Sequence, residues 1–129
     1  MKYMLMMTGT TEDYEAMDAW TKEEIRAHVQ FMTEVNERLA ASDAFVTAEG
    51  LASPRDAKIV RAAGDGSPTV SGGPFPDDKE FLAGFWIIET DTFDQVADIA
   101  AMISTAPGRG GKPLNIPIQV REVGEAPDV

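Results

Sequence analysis

Cysteine is absent from the 129 residues, which excludes disulfides, thiolate metal sites and a cysteine nucleophile, and suits a reducing cytoplasm. Histidine occurs once, at position 28, so a zinc site built on His and Cys is not expected. Basic residues are scarce: 11 Lys and Arg stand against 22 Asp and Glu, a formal net charge of −11. Polyanions are bound by clustered cations that release their counterions, so neither nucleic acid nor an anionic membrane is an expected partner. Long hydrophobic runs are missing too. The opening "MKYMLMMTG" is too short for a signal h-region or for the roughly 20 apolar residues of a membrane span, and it reads as a first strand. No Gly-rich dinucleotide signature follows a strand pattern and no Ser nucleophile elbow occurs, so no cofactor is expected.

What remains is ordinary for a globular domain, 43% apolar and 26% charged, and long enough for one core. A single domain is expected over residues 1–123, followed by the polar tail "GEAPDV" at 124–129. Residues 2–7 form a nearly continuous apolar run, the pattern of a strand covered on both faces. An acidic connector follows over residues 10–20. Thr21 and Glu24 make a capping box, and the spacing of Ile25, Val29, Met32, Val35, Asn36 and Leu39 predicts a helix to about Ala40 with one apolar stripe. Residues 44–51 alternate as a strand, and 58–62 and 69–71 flank the Asp65-Gly66 turn of a hairpin. "GFWIIE" at 84–89 is the second doubly apolar strand. A second capping box, Thr92 and Gln95, opens a helix marked by Phe93, Val96, Ala97, Ala100 and Ile103 and stopped by Pro107. A Gly/Pro-rich loop then leads to a last strand over residues 116–123.

The order is an α+β ferredoxin-like plait, βαββαβ with an inserted hairpin. Side chains alternate along a strand, so Phe85 and Ile87 face one way and Trp86 and Ile88 the other. Two helices cover only one side of such a sheet. Each large apolar group left on the other side forgoes about 1.5–3 kcal/mol of burial. A second copy of the chain is the expected cover, giving a homodimer packed sheet against sheet.

Several segments together resemble the YCII-related family, in its DGPF-motif branch. They are "MKYMLMM" at the start, "AEGL" at 48–51, "GGPF" at 72–75, "KE" at 79–80, "GFWII" at 84–88 and "VREV" at 120–123. The resemblance implies a plait that pairs as a dimeric α+β barrel, and a largely uncharacterised family in which a His–Asp pair is proposed as catalytic. His28 stands where that branch has a histidine on the first helix. The acid of the pair falls on Ala106, before Pro107, and the aspartate of DGPF on Gly72, so neither acid carries over. Gly72, Gly73 and Pro74 look like a turn needing positive φ and close approach, aiming Phe75 toward the core.

The candidate catalytic residues are His28, as a proton shuttle, with Glu49 or Glu80 orienting it. Glu49 shares an alternation with Phe45 and Thr47, so it is expected to point inward beside a partner such as Lys79, Arg121 or His28. The bland alternatives are a packed histidine with one hydrogen bond and a structural ion pair. Asp77, Asp78 and Glu80 read as a solvated turn rather than a cation site. "APGRGGKP" lacks the first Gly and the Ser or Thr of a phosphate loop. Arg109 in that loop is a candidate contact for a small carboxylate, and Phe75 and Trp86 are candidate ligand contacts. Three functions stay open: a cofactor-free, dimeric small-molecule protein with His-based acid/base activity, a non-catalytic dimeric module that binds a small apolar or acidic metabolite or serves as an accessory or regulatory dimerisation module, and a purely structural dimer.

Overall fold

The computed structural model describes residues 1–72 and 80–128. It is an α+β fold whose main sheet is four-stranded, in the order β2-β5-β1-β6. These strands are β1 (Lys2–Thr10), β2 (Phe45–Gly50), β5 (Glu80–Glu89) and β6 (Ile118–Glu122), with every neighbouring pair antiparallel. The hairpin of β3 (Lys58–Ala62) and β4 (Pro68–Gly72) forms a separate two-stranded sheet. Its turn is held by Gly66, at φ 86°, and by the Asp65 carboxylate, which accepts from Ser67 Oγ at 2.6 Å.

The described residues also form three α-helices: α1 (Thr11–Ala16), α2 (Lys22–Ala41) and α3 (Phe93–Ser104). Each opens with a capping box, at Thr10/Asp13, Thr21/Glu24 and Thr92/Gln95. The first of these lies within the expected acidic connector over residues 10–20, part of which folds as α1. Thr10 and Asp13 carry the same reciprocal hydrogen bonds as the other two boxes, on a helix too short to show an apolar period.

The core lies between one face of the sheet and the C-terminal part of α2 with α3. Tyr3 and Leu5 of β1, Trp86 and Ile88 of β5, Val35 and Leu39 of α2, and Val96, Ala100 and Ile103 of α3 form one buried cluster. The N-terminal half of α2 leaves this core. Ile25 and Val29, expected in the apolar stripe, are 45% and 57% exposed. The stripe rotates because that half of the helix packs on a loop instead of the sheet, turning Glu24 and His28 inward. Among the described residues no helix is long and apolar enough to cross a membrane.

The ends of three strands differ from their expected places. Strand β6 starts at Ile118, not 116, since Pro117 has no N–H for the ladder. Strand β5 starts four residues earlier than the apolar run, at Glu80, across a bulge where Met7 pairs Gly84 and Thr8 pairs Leu82. Gly72 is the last residue of β4, paired with Lys58, with φ outside the left-handed region and nothing within 4 Å of an added Cβ. The expected turn at this glycine is therefore a strand end, where any residue would fit. Gly73, Pro74 and Phe75, with Asp77, Asp78 and Lys79, lie outside the described residues.

A second bulge decides the orientation of β2. Phe45 pairs Ile88 but Thr47 pairs Ile87, so Val46 has no opposite residue. Directly opposed residues share a face. Phe45 therefore lies on the helix side with Ile88, while Thr47 and Glu49 lie on the other side with Ile87 and Phe85. The expected shared face of Phe45, Thr47 and Glu49 does not exist, because the extra residue inverts the alternation between them.

Candidate functional site

The helix side of the sheet has two halves. One is filled by the core described above. The other is lined by small or flexible groups: Gly84 opposite Met7 on the central strands, and Ala48 on β2. Gly84 admits no side chain cheaply, since an added Cβ would stand 3.0 Å from the Glu49 carbonyl oxygen. With these small groups on part of the sheet and the first half of α2 held away, a cavity of about 530 Å³ is left, bordered also by Trp86 and Phe81. That volume suits a small organic molecule.

The wall opposite the sheet carries Trp20, His28, Met32 and Asn36, the last three one turn apart on α2. Leu114 contributes from the loop after α3. Gly108, buried beneath it, lets the backbone approach closely: an added Cβ would lie 2.5 Å from Leu114 Cδ2 and 3.3 Å from Trp20 Cζ2.

His28 is partly buried, with its ring edge-on to Trp20 at a centroid distance of 5.6 Å. Its Nδ1 lies 3.0 Å from the Pro107 carbonyl oxygen. A carbonyl only accepts, so Nδ1 carries the proton and donates, and in the neutral ring Nε2 is left as an acceptor. Among the described residues Nε2 has no hydrogen-bond partner. One turn earlier, Glu24 receives the backbone N–H of Gly110 as well as that of Thr21. Glu24 and His28 thus clip the loop from Pro107 to Gly110 onto α2.

The Glu24 carboxyl is held below its ordinary value of 4.5, chiefly by the Thr21 N–H, then by the Gly110 N–H, with Arg109 adding a smaller attraction. A depressed carboxyl stabilises the fold above its unfolded pKa, and that contribution disappears as pH falls through the lower folded value. Glu24→Gln keeps the capping geometry and removes the charge. A small loss of melting temperature is expected at neutral pH, shrinking toward zero as pH drops below 4.5. Thermal melts of both proteins from pH 7 to pH 3 check this; a gap that widens toward acid pH would overturn the assignment.

Of the other expected site residues, Trp86 and Glu49 border the cavity with His28, while Glu80 and Arg109 do not. Trp86 is buried against the cavity, and its indole N–H donates to Asn36 Oδ1 at 2.8 Å. Glu49 is exposed at the rim, and Glu80 is exposed at the start of β5, opposite Thr10. Neither hydrogen-bonds His28 or pairs with a cation among the described residues, where the ion pair present is Arg55–Glu15 at 3.3 Å. Arg109 is exposed in the clipped loop and does not line the cavity. No three His, Asp or Glu side chains gather as metal ligands among the described residues. Sequence reasoning missed Asn36 as a polar cavity residue, placing it in an apolar stripe. An amide one turn from Met32 and two from His28 was the available signal.

Residues 1–108 match the family model described as the YCII-related domain. The chain is also 27% identical over 124 residues to an uncharacterised protein of Rhizobium meliloti (strain 1021), a match covering 96% of this chain and 99% of that protein.

Proposed function

The chain belongs to the YCII-related domain family, and from that premise we propose a homodimeric small-molecule-binding protein in which His28 moves a proton to or from the bound molecule. The observation that carries this reading is the 530 Å³ cavity bordered by His28, whose Nδ1 is occupied by Pro107 while Nε2 has no partner among the described residues. An imidazole fixed in one tautomer, with its second nitrogen available to a cavity, is poised as a base toward a ligand X–H. The strand order and uniformly antiparallel pairing support a ferredoxin-like plait. Met4, Met6, Phe85 and Ile87, on the side away from the helices, support pairing through that face. In such a pair the cavities lie on the outer, helix-bearing sides.

A second reading, a non-catalytic binding or accessory module, is favoured by one finding. No carboxylate hydrogen-bonds His28 among the described residues, and the residue next to its Pro107 anchor is the fully buried Ala106. Glu49, at the rim, and Glu80, which does not border the cavity, remain in the acid/base reading as groups that a bound molecule would have to bring toward the imidazole.

A thermal-shift screen of uncharged aromatic and aliphatic compounds tests the shared part of both readings. A compound present at a hundredfold excess over its Kd adds about 2.7 kcal/mol, a shift of several degrees for a domain of this size. Hits are expected to move the His28 Nε2 resonance in ¹⁵N spectra and to lose affinity in His28→Phe. No stabilising compound in a broad panel would remove the basis for both. Among hits, conversion by wild type but not by His28→Gln separates the enzyme from the binding module.

A further inference from the structure

The cavity offers a second polar group besides His28, and its orientation is settled by its neighbour. An indole N–H can only donate, so the Asn36 atom 2.8 Å from Trp86 Nε1 is the oxygen. The amide nitrogen of Asn36 therefore has two N–H donors with no partner among the described residues. That nitrogen is not sealed off either, since Thr11 Oγ1 is the one buried side-chain polar atom found without a partner among those residues. Asn36 borders the cavity, and there its donors meet whatever occupies it.

The rest of the lining states what that occupant can be. Among the described residues no Lys or Arg borders the cavity, whereas Asp13 and Glu49 do. An anion would find no counter-charge among these residues and the Asp13 carboxylate nearby. His28 and Asn36 are eight residues apart on α2, about 12 Å along the axis at 1.5 Å per residue. Met32 lies between them. The wall thus presents an acceptor, an apolar span and a donor, in that order.

We propose that Asn36 determines ligand specificity: its amide N–H donates to a carbonyl-type acceptor of an uncharged, largely apolar molecule that spans from Asn36 toward His28. This rests on the small-molecule reading above and adds the class of molecule. The separation from His28 makes Asn36 a binding residue, since one reacting centre cannot touch both.

The test uses two neutral fluorescent probes, the aromatic ketone prodan and its parent dimethylaminonaphthalene, which lacks the carbonyl. Wild-type protein is expected to bind prodan about tenfold more tightly than the parent, the worth of one hydrogen bond. Asn36→Asp keeps an oxygen for Trp86 and replaces the two donors by an acceptor. It is expected to weaken prodan about tenfold and to change the parent's Kd less than twofold. Equal binding of the two probes to wild type, or equal loss of both in Asn36→Asp, overturns the role of Asn36 while leaving the cavity reading intact. Failure of both probes to bind wild type overturns the cavity reading, and this inference with it. If Asn36→Asp does not fold, the unmodified protein answers: prodan, but not its parent, should shift the Asn36 side-chain amide resonances, and a shift with neither or with both counts against the proposal.

Discussion

Leu5→Ala should lower the free energy of unfolding by about 3–5 kcal/mol, measured by urea denaturation at fixed protein concentration. Leu5 is fully buried on a central strand. It is flanked across the sheet by Trp86 on β5 and Val120 on β6, and it belongs to the cluster that α2 and α3 cover. A truncated side chain there loses its transfer free energy and leaves a hole that the nine other members of the buried cluster cannot close. Against a typical domain stability of about 5–15 kcal/mol, this is a third or more of the total. Val60→Ala, on the hairpin strand β3, is the internal control. Its side chain is 61% exposed and outside the core cluster, so it should lose much less. A Leu5→Ala effect below about 1 kcal/mol would mean that the helix layer does not seal this face.

On the proposed sheet-to-sheet pairing, Ile87→Lys should convert the dimer into a folded monomer. Met4 and Met6 of β1 stand beside Ile87 and Phe85 of β5, forming a half-buried stripe across the two central strands on the side that no helix covers among the described residues. Each such side chain gains about 1.5–3 kcal/mol when fully removed from water. A two-fold pairing brings every group into the interface twice, so one substitution buries two uncompensated ammonium groups close together. Light scattering coupled to size exclusion should give twice the chain mass for wild type at micromolar concentration and the single mass for Ile87→Lys. Circular dichroism should be unchanged, because Ile87 is not part of the core cluster. A monomeric wild type would defeat the homodimer outright, while a dimeric Ile87→Lys would move the interface to another face.

The two experiments probe opposite sides of one sheet, and both sides were legible in the sequence. Alternation in "GFWII" assigns Trp86 and Ile88 to one face and Phe85 and Ile87 to the other, and burial follows that division. The capping boxes at Thr21 and Thr92 located two helix starts to the residue. The site was less legible. His28 could be singled out as the sole histidine, next to buried positions of a helix. Its anchor could not, because Pro107 lies 79 residues away in sequence and contributes only a backbone carbonyl, which carries no side-chain signature.

What the sequence determined by itself were the local quantities: where helices begin, which way strand residues alternate, the acidic balance and the exclusion of thiol chemistry. These depend on interactions within a few residues, so spacing records them. The tertiary structure decided the rest. A bulge at Val46 sends Glu49 to the face away from His28, a glycine opposite Met7 leaves room for a cavity, and an indole N–H orients the Asn36 amide. Each of these arises where distant segments meet, and one unpaired residue in a ladder is enough to reverse a face that the alternation alone would have assigned.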